Sequence, residues 1–122
     1  MTNDDFARSI VPEEMGNARI SVDAFISAHN AGEVELVDIR VPMETAVWQL
    51  NFGLSVPANE LPDRLNELPR DKTIVVACPM NVRSNMARSY LLGKGFDAKY
   101  LQGGLLALMD RLKGGKAKDI KL

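Results

Sequence analysis

The only cysteine of the chain, Cys78, follows a short apolar run and precedes an arginine by a short interval. The run is TIVVA (73–77), and Arg83 ends the loop CPMNVR (78–83). A thiolate is a strong nucleophile, and a guanidinium can hold an anion beside it. Without this context a lone cysteine would be read as a small buried hydrophobe. The loop context instead favours a thiolate nucleophile with an anion held beside it.

The neighbouring patterns predict where this loop lies. Short apolar segments at VELVDI (34–39), TIVVA (73–77) and AKYL (98–101) are typical of buried strands, and helical patterns separate them. Strands that alternate with helices form parallel sheets, in which the loops at the carboxyl ends bind ligands. The helix expected to start near Ser84 would direct its free N–H groups and its positive dipole end at the sulfur. Asn81 is expected to adopt a positive φ, so that the loop can curl inward.

Helix start and stop signals complete the expected alternation. Ser21 is a predicted N-cap and Gly32 a predicted stop for the first helix, and Pro42 is placed to begin a second, short one. The remaining helical patterns lie in LPDRLNELP (61–69), SNMARSYLLGKGF (84–96) and LLALMDRL (105–112). Trp48 is read as core packing and His29 as an exposed helix residue, remote in sequence from the loop. A Cys–His hydrolase is therefore the weaker interpretation.

Composition limits the classes of protein to consider. The chain has 122 residues, 46% hydrophobic and 25% charged, which suits one α/β domain with one core. Its formal net charge of -1 gives no reason to expect nucleic acid as a partner. No apolar run is long enough to predict a membrane span, and the N-terminus lacks the pattern of a signal peptide. With one cysteine and no intramolecular disulfide, a reducing cytoplasm is the expected location.

Four elements in this order resemble the rhodanese (sulfurtransferase) family from Ile20 to about Leu112. They are Asp38-x-Arg40, Pro57 after a short strand, the Cys78 to Arg83 loop followed by Ser84, and the double glycine Gly103-Gly104. The resemblance implies a rhodanese-like three-layer domain with a mostly parallel central sheet flanked by helices. The expected organisation is an N-terminal extension (1–18), the domain (19–112) and a solvated Gly/Lys-rich tail (113–122).

The resemblance also implies an activity. Cys78 would accept a sulfane sulfur from thiosulfate or a low-molecular-weight persulfide and pass it, as a persulfide, to a thiophilic acceptor. The expected partners are therefore a small sulfur donor and such an acceptor, with a protein sulfur acceptor as a further partner. No metal and no organic cofactor are expected. The predicted substrate-binding residues form the rest of the loop: Pro79, Met80, Asn81, Val82, Arg83 and Ser84. Asp38 and Arg40 are expected to give structural support.

Two alternatives stay open. A phosphatase or arsenate reductase of similar architecture would have five residues between cysteine and arginine, whereas this loop has the four that the resemblance associates with sulfurtransferases. A module without turnover, acting as a sulfur carrier or a partner-binding domain, is the other alternative. It is kept because Pro79 removes one N–H from the loop and because WQLNFG (48–53) departs from the family pattern.

Overall fold

Five short strands form one sheet in which every neighbouring pair is parallel. The computed structural model describes residues 2–122. The strands are β1 (Arg19–Ile20), β2 (Val34–Asp38), β3 (Leu54–Ser55), β4 (Thr73–Ala77) and β5 (Ala98–Leu101). Their order across the sheet is β1-β5-β4-β2-β3. The predicted α/β class and parallel sheet are confirmed, and the sheet is entirely rather than mostly parallel.

Helices precede the first strand, separate the strands and follow the last one. They are α1 (Asn3–Arg8), α2 (Pro12–Asn17), α3 (Val22–Asn30), α4 (Pro42–Thr45), α5 (Leu61–Arg64), α6 (Val82–Gly93) and α7 (Gly104–Leu112). Short 3-10 turns at Ala58–Glu60, Leu65–Glu67 and Gly114–Asp119 complete the chain. Ser21 caps α3 as predicted, because its hydroxyl accepts the Ala24 N–H at 3.1 Å. No helix within residues 2–122 is both long and apolar enough to cross a membrane.

The central strand β4 shows how the sheet separates two apolar layers. Ile74, Val76 and Cys78 belong to one buried cluster, and Val75 and Ala77 belong to the other. Side chains alternate between the two faces of a strand, so both faces of β4 are buried, which explains why TIVVA is apolar throughout. Cys78 continues the alternation and belongs with the face that α6 covers, while α3 and α7 cover the opposite face.

The strand order creates a switch point between β2 and β4. The chain leaves β2 toward β3 on one side, and it leaves β4 toward β5 on the other. The two strands are adjacent, with Asp38 paired to Ala77 in register. Connections that diverge from neighbouring strands open a crevice at the carboxyl edge, where open α/β sheets bind ligands. Cys78 follows β4 directly into this crevice.

The C-terminal segment has an exposed stretch (113–118) and an end that contacts α3. Residues 114–119 form a 3-10 turn, and Ile120 packs against the second core cluster. The Asn30 side chain donates to Asp119 O and accepts the Lys121 N–H, both at 2.8 Å. His29 is half-buried rather than exposed, and its ring nitrogen lies 2.7 Å from Lys121 O. The expectation of an exposed His29 is therefore wrong. The lysines of the C-terminal segment are exposed, while contacts with α3, some ninety residues earlier, hold its end.

Candidate active site

Cys78 lies at the carboxyl end of β4 and is only 2% exposed. Its Sγ accepts the backbone N–H of Ser84 at 3.4 Å. Ser84 is in the first turn of α6, where backbone N–H groups have no partner within the helix. The sulfur therefore faces the positive end of a twelve-residue helix, an environment that stabilises negative charge on it.

Two carbonyl groups of the loop are bonded to the start of α7. Cys78 O accepts the Leu105 N–H at 2.8 Å, and Pro79 O accepts the Leu106 N–H at 3.2 Å. A trans peptide directs its N–H opposite to its C=O. Because Pro79 O points at α7, the N–H of Met80 points away from that helix. The start of α7 thus orients the loop.

Four backbone N–H groups of the loop remain available for a ligand. Those of Met80, Asn81, Val82 and Arg83 have no acceptor among residues 2–122. The peptide that joins Cys78 to Pro79 contributes no N–H, because residue 79 is proline. Successive free N–H groups in a curled loop form a concave site for an anion or a negatively charged sulfur.

The double glycine allows α7 to approach the loop this closely. Gly103 and Gly104 both have positive φ, at 82° and 68°. A Cβ at position 104 would lie 2.5 Å from Cys78 O and 2.6 Å from Pro79 O, and nearer still to Met80 O. No side chain fits there unless the loop moves. Glycine is therefore required at position 104 for both its backbone conformation and its lack of a side chain.

Replacing Gly104 with alanine is expected to displace the loop and lower Cys78 reactivity at least tenfold. The left-handed conformation costs about 1–2 kcal/mol for alanine, and the contact with three carbonyls adds to that cost. The matched control is Gly32→Ala, because Gly32 has φ 75° and nothing within 4 Å of its would-be Cβ. Alkylation of Cys78 by iodoacetamide and thermal melting would measure both effects. Equal alkylation rates in the two variants would show that the contact does not shape the loop.

Asn81 serves the loop in a different way from the one predicted. Its φ is -127°, and no residue other than glycine has positive φ within residues 2–122. Its side-chain Oδ1 instead accepts the Gly103 N–H at 3.0 Å. Its carbonyl accepts the Ser84 hydroxyl, also at 3.0 Å. Asn81 therefore connects the loop to α7 and α6, and the prediction of a left-handed residue here is wrong.

Asp38 and Arg40 form a buried ion pair beneath the site. The Arg40 Nη2 to Asp38 Oδ2 distance is 2.8 Å, and the two side chains are 2% and 6% exposed. The Arg40 Nε also bonds the carboxylate, at 3.1 Å. The guanidinium donates to Trp48 O and stacks on the Trp48 ring at 4.0 Å. These contacts join the end of β2 to the segment after α4.

Arg83 is bonded to a residue that sequence reasoning missed. Its Nη1 and Nη2 donate to the two carboxylate oxygens of Glu44 at 2.6 and 2.8 Å. The guanidinium, assisted by the Val41 N–H, lowers the pKa of Glu44 to about 2. The carboxylate in turn raises the pKa of Arg83. No local pattern predicts a pair separated by 39 residues. Only the adjacency of the β2 and β4 ends brings the two residues together.

An apolar pocket of about 250 Å³ adjoins this ion pair. Its lining residues are Ala58, Leu61, Pro62, Arg83, Met86, Ala87 and Tyr90. Ala87 shares a core cluster with Cys78. This pocket thus has the Arg83 guanidinium of the ion pair in one wall and apolar side chains from α5 and α6 in the others.

All predicted site residues lie at the carboxyl edge of the sheet. Cys78 and Ser84 are buried, Pro79 is half-buried, and the other four loop residues are exposed (Met80, Asn81, Val82 and Arg83). His29 packs between Phe25 and Phe52 on the other face of the sheet. Among residues 2–122, no group of three His, Cys, Asp or Glu side chains could hold a metal ion. The fold and the loop define a parallel α/β domain with its cysteine at the carboxyl edge of the central sheet.

Comparison with known proteins identifies the family. The Rhodanese-like domain family matches residues 21–110, and the chain belongs to that family. A protein of Allochromatium vinosum named "Sulfurtransferase" is 37% identical over 76 residues, which cover 62% of this chain and 71% of that protein. The recognised resemblance is therefore confirmed, and the sulfurtransferase-named relatives support sulfur transfer as the general activity.

Solved structures agree with the fold. A rhodanese-like domain protein from Staphylococcus aureus has a TM-score of 0.68 and 28% identity, with coverage of 74% of this chain and 89% of that one. A human single-domain sulfurtransferase has a TM-score of 0.69 over 77% of this chain and 96% of its own. Its identity is 21%, so it supports the fold alone.

Proposed function

We propose that this protein is a sulfurtransferase that carries sulfane sulfur on Cys78 as a persulfide. The observation that carries the proposal is the placement of the Cys78 sulfur against the Ser84 N–H, inside a loop whose other N–H groups are free. Such a loop can stabilise the negative charge of both the thiolate and the outer sulfur of a persulfide. Pro79 to Ser84 are the proposed substrate-binding residues, supported by Asp38 and Arg40.

The proposed reaction has two steps. The Cys78 thiolate attacks the sulfane sulfur of the donor, an S–S bond forms, and the S–S bond of the donor breaks. The leaving group departs with the electron pair, as sulfite from thiosulfate or as a thiolate from an organic persulfide. A thiophilic acceptor, such as cyanide or a thiolate, then attacks the outer sulfur and regenerates the Cys78 thiolate. Neither step requires a metal, an organic cofactor or a net oxidant.

Of the two donor classes, we favour organic persulfides. Both terminal nitrogens of Arg83 are bonded to Glu44, so a thiosulfate dianion would have to displace a carboxylate to reach them. Glu44 is ionised at neutral pH because its pKa is held at about 2. The adjoining pocket is lined mainly by apolar side chains, which suit the organic part of a persulfide.

Replacing Glu44 with glutamine is expected to increase the rate of sulfur loading from thiosulfate about two- to fivefold. The change releases Arg83 from its ion pair with Glu44, so that the guanidinium can bind thiosulfate. Because that pair is half-exposed, it is weak, and the increase in rate is expected to be correspondingly small. Loading from an alkyl persulfide, whose only charge is on its outer sulfur and which has no sulfonate group for Arg83 to bind, should change little. Stopped-flow measurement with both donors would test this, and Glu60→Gln, which alters the pair with Arg64, is the control. Equal slowing with both donors would mean that the Glu44–Arg83 pair only braces the loop.

The proposed function is tested by the mass of the intact wild-type protein. Incubation with an organic persulfide or thiosulfate should add one sulfur atom, and cyanide should remove it with formation of thiocyanate. Repeated cycles with excess donor and cyanide should give many thiocyanates per protein. A protein that gains no sulfur from either donor would contradict the proposal.

The same preparation separates the two alternatives. A sulfur carrier would load once but form negligible thiocyanate under multiple-turnover conditions. A phosphatase would release phosphate from a small aryl phosphate in a Cys78-dependent manner. We propose a protein thiol as a further acceptor, since exposed apolar side chains of Met80 and Val82 flank the loop. We also propose that the N-terminal extension ends at residue 18 and that the rhodanese-like domain ends at residue 112. The proposed compartment is the reducing cytoplasm, in which a lone thiol stays free.

A further inference from the structure

A second pocket lies between the N-terminal helices and α6. Its volume is about 240 Å³. Its walls include Phe6, Ile10 and Met15 from the N-terminal segment, and Met86, Arg88 and Ser89 from α6. Met86 also lines the pocket beside Arg83, so the two pockets share that side chain. The sulfur-transfer proposal uses none of the other five residues.

Arg88 is the unusual residue of this pocket. It is only 4% exposed, and its Nε donates to Ala98 O at 3.0 Å. Its two terminal nitrogens have no hydrogen-bond acceptor among residues 2–122, and no carboxylate in that range lies within 4.0 Å of it. These nitrogens are also not sealed inside protein. They are therefore able to bond a molecule that enters the pocket.

The electrostatics around Arg88 favour such a molecule. Burial lowers the pKa of Arg88, and the negative charges of Glu14 and Asp97 act on it only from beyond ion-pair distance. The guanidinium nevertheless stays protonated in proteins. A buried charge without a partner is costly, and an anion that bonds it in a bidentate manner recovers part of that cost.

We propose that this pocket binds a small carboxylate carried on an apolar body. The guanidinium of Arg88 would hold the carboxylate, while Phe6, Ile10 and Met15 cover the hydrocarbon. A closed cavity of roughly 150 Å³ holds a molecule the size of benzene, so this pocket has room for a body of about six carbon atoms. This inference is independent of the proposed sulfur chemistry, because Arg88 lies a full turn beyond Ser84 along α6.

Titration with hexanoate, and with 1-hexanol as the uncharged probe, tests the proposal. Hexanoate should bind the wild-type protein saturably and at least tenfold more tightly than 1-hexanol, because only the acid can pair with the guanidinium. Arg88→Met should lose roughly tenfold or more in hexanoate affinity with little change for 1-hexanol. Arg19→Met, which removes an exposed arginine, should leave both affinities unchanged.

A measurement on the wild-type protein keeps the test valid if Arg88→Met fails to fold. In heteronuclear NMR spectra, hexanoate should shift the Arg88 Nε–Hε signal and the Met15 methyl signal. Equal affinity for hexanoate and 1-hexanol would overturn the proposal. So would shifts confined to the Cys78 loop, which would mean binding at the active site, or the absence of saturable binding.

Discussion

The Cys78→Ser variant is expected to take up no measurable sulfur from any donor. A serine hydroxyl is not ionised at neutral pH, and the N–H groups that stabilise a thiolate cannot by themselves deprotonate it. The one histidine, His29, packs on the opposite face of the sheet and cannot act as its base. Intact-protein mass after incubation with thiosulfate or an alkyl persulfide would measure the loss.

The loss should occur without loss of the fold. Serine is nearly the size of cysteine, and its oxygen can accept the Ser84 N–H that Cys78 Sγ now accepts. The melting temperature should therefore stay close to that of the wild type. Met80→Ala is the matched loop control, because the Met80 side chain is 67% exposed and carries no reactive group. It should still load sulfur. Sulfur on the serine variant would show that another residue is the carrier.

The Asp38→Ala variant is expected to lose about 3–5 kcal/mol of unfolding free energy, because it leaves the buried Arg40 guanidinium without its partner. Both side chains of the pair are almost completely buried. A loss of this size is a large part of the stability of a small domain. Since Asp38 is paired in register with Ala77, the residue before Cys78, sulfur loading should fall as well. Urea denaturation would measure the stability.

A second ion pair in the chain provides the control for burial. Arg64 and Glu67 are bonded at 2.7 Å, as closely as the buried pair, but their side chains are 31% and 46% exposed. Glu67→Ala should therefore cost only a small fraction of what Asp38→Ala costs. A double variant that replaces Asp38 and Arg40 with apolar residues should recover part of the loss. Equal losses for Asp38→Ala and Glu67→Ala would show that burial does not govern the energetics of the pair.

The sequence predicts the strands and helix starts of this protein because the interactions that determine them are local. The apolar run at Thr73–Ala77 marks a strand buried on both faces, and the cysteine that follows it must lie at the strand's carboxyl end. Ser21 and Pro42 mark helix starts through hydrogen bonding and φ restriction within one turn. These patterns were sufficient for the fold class and for the position of Cys78 at the carboxyl edge of the sheet.

The tertiary structure decided the features that depend on residues far apart in sequence. Glu44 meets Arg83 only because the β2 and β4 ends are adjacent, and Gly104 needs to be glycine because three loop carbonyls approach it. Asn81 did not need a positive φ, because its side chain could bond Gly103 across the site. The packing of α6 on β5 buries the Arg88 guanidinium, which bonds Ala98 O through Nε and has no acceptor for its terminal nitrogens among residues 2–122. Periodicity and capping rules act over a few residues, so they carry no information about which distant groups meet or remain without a partner.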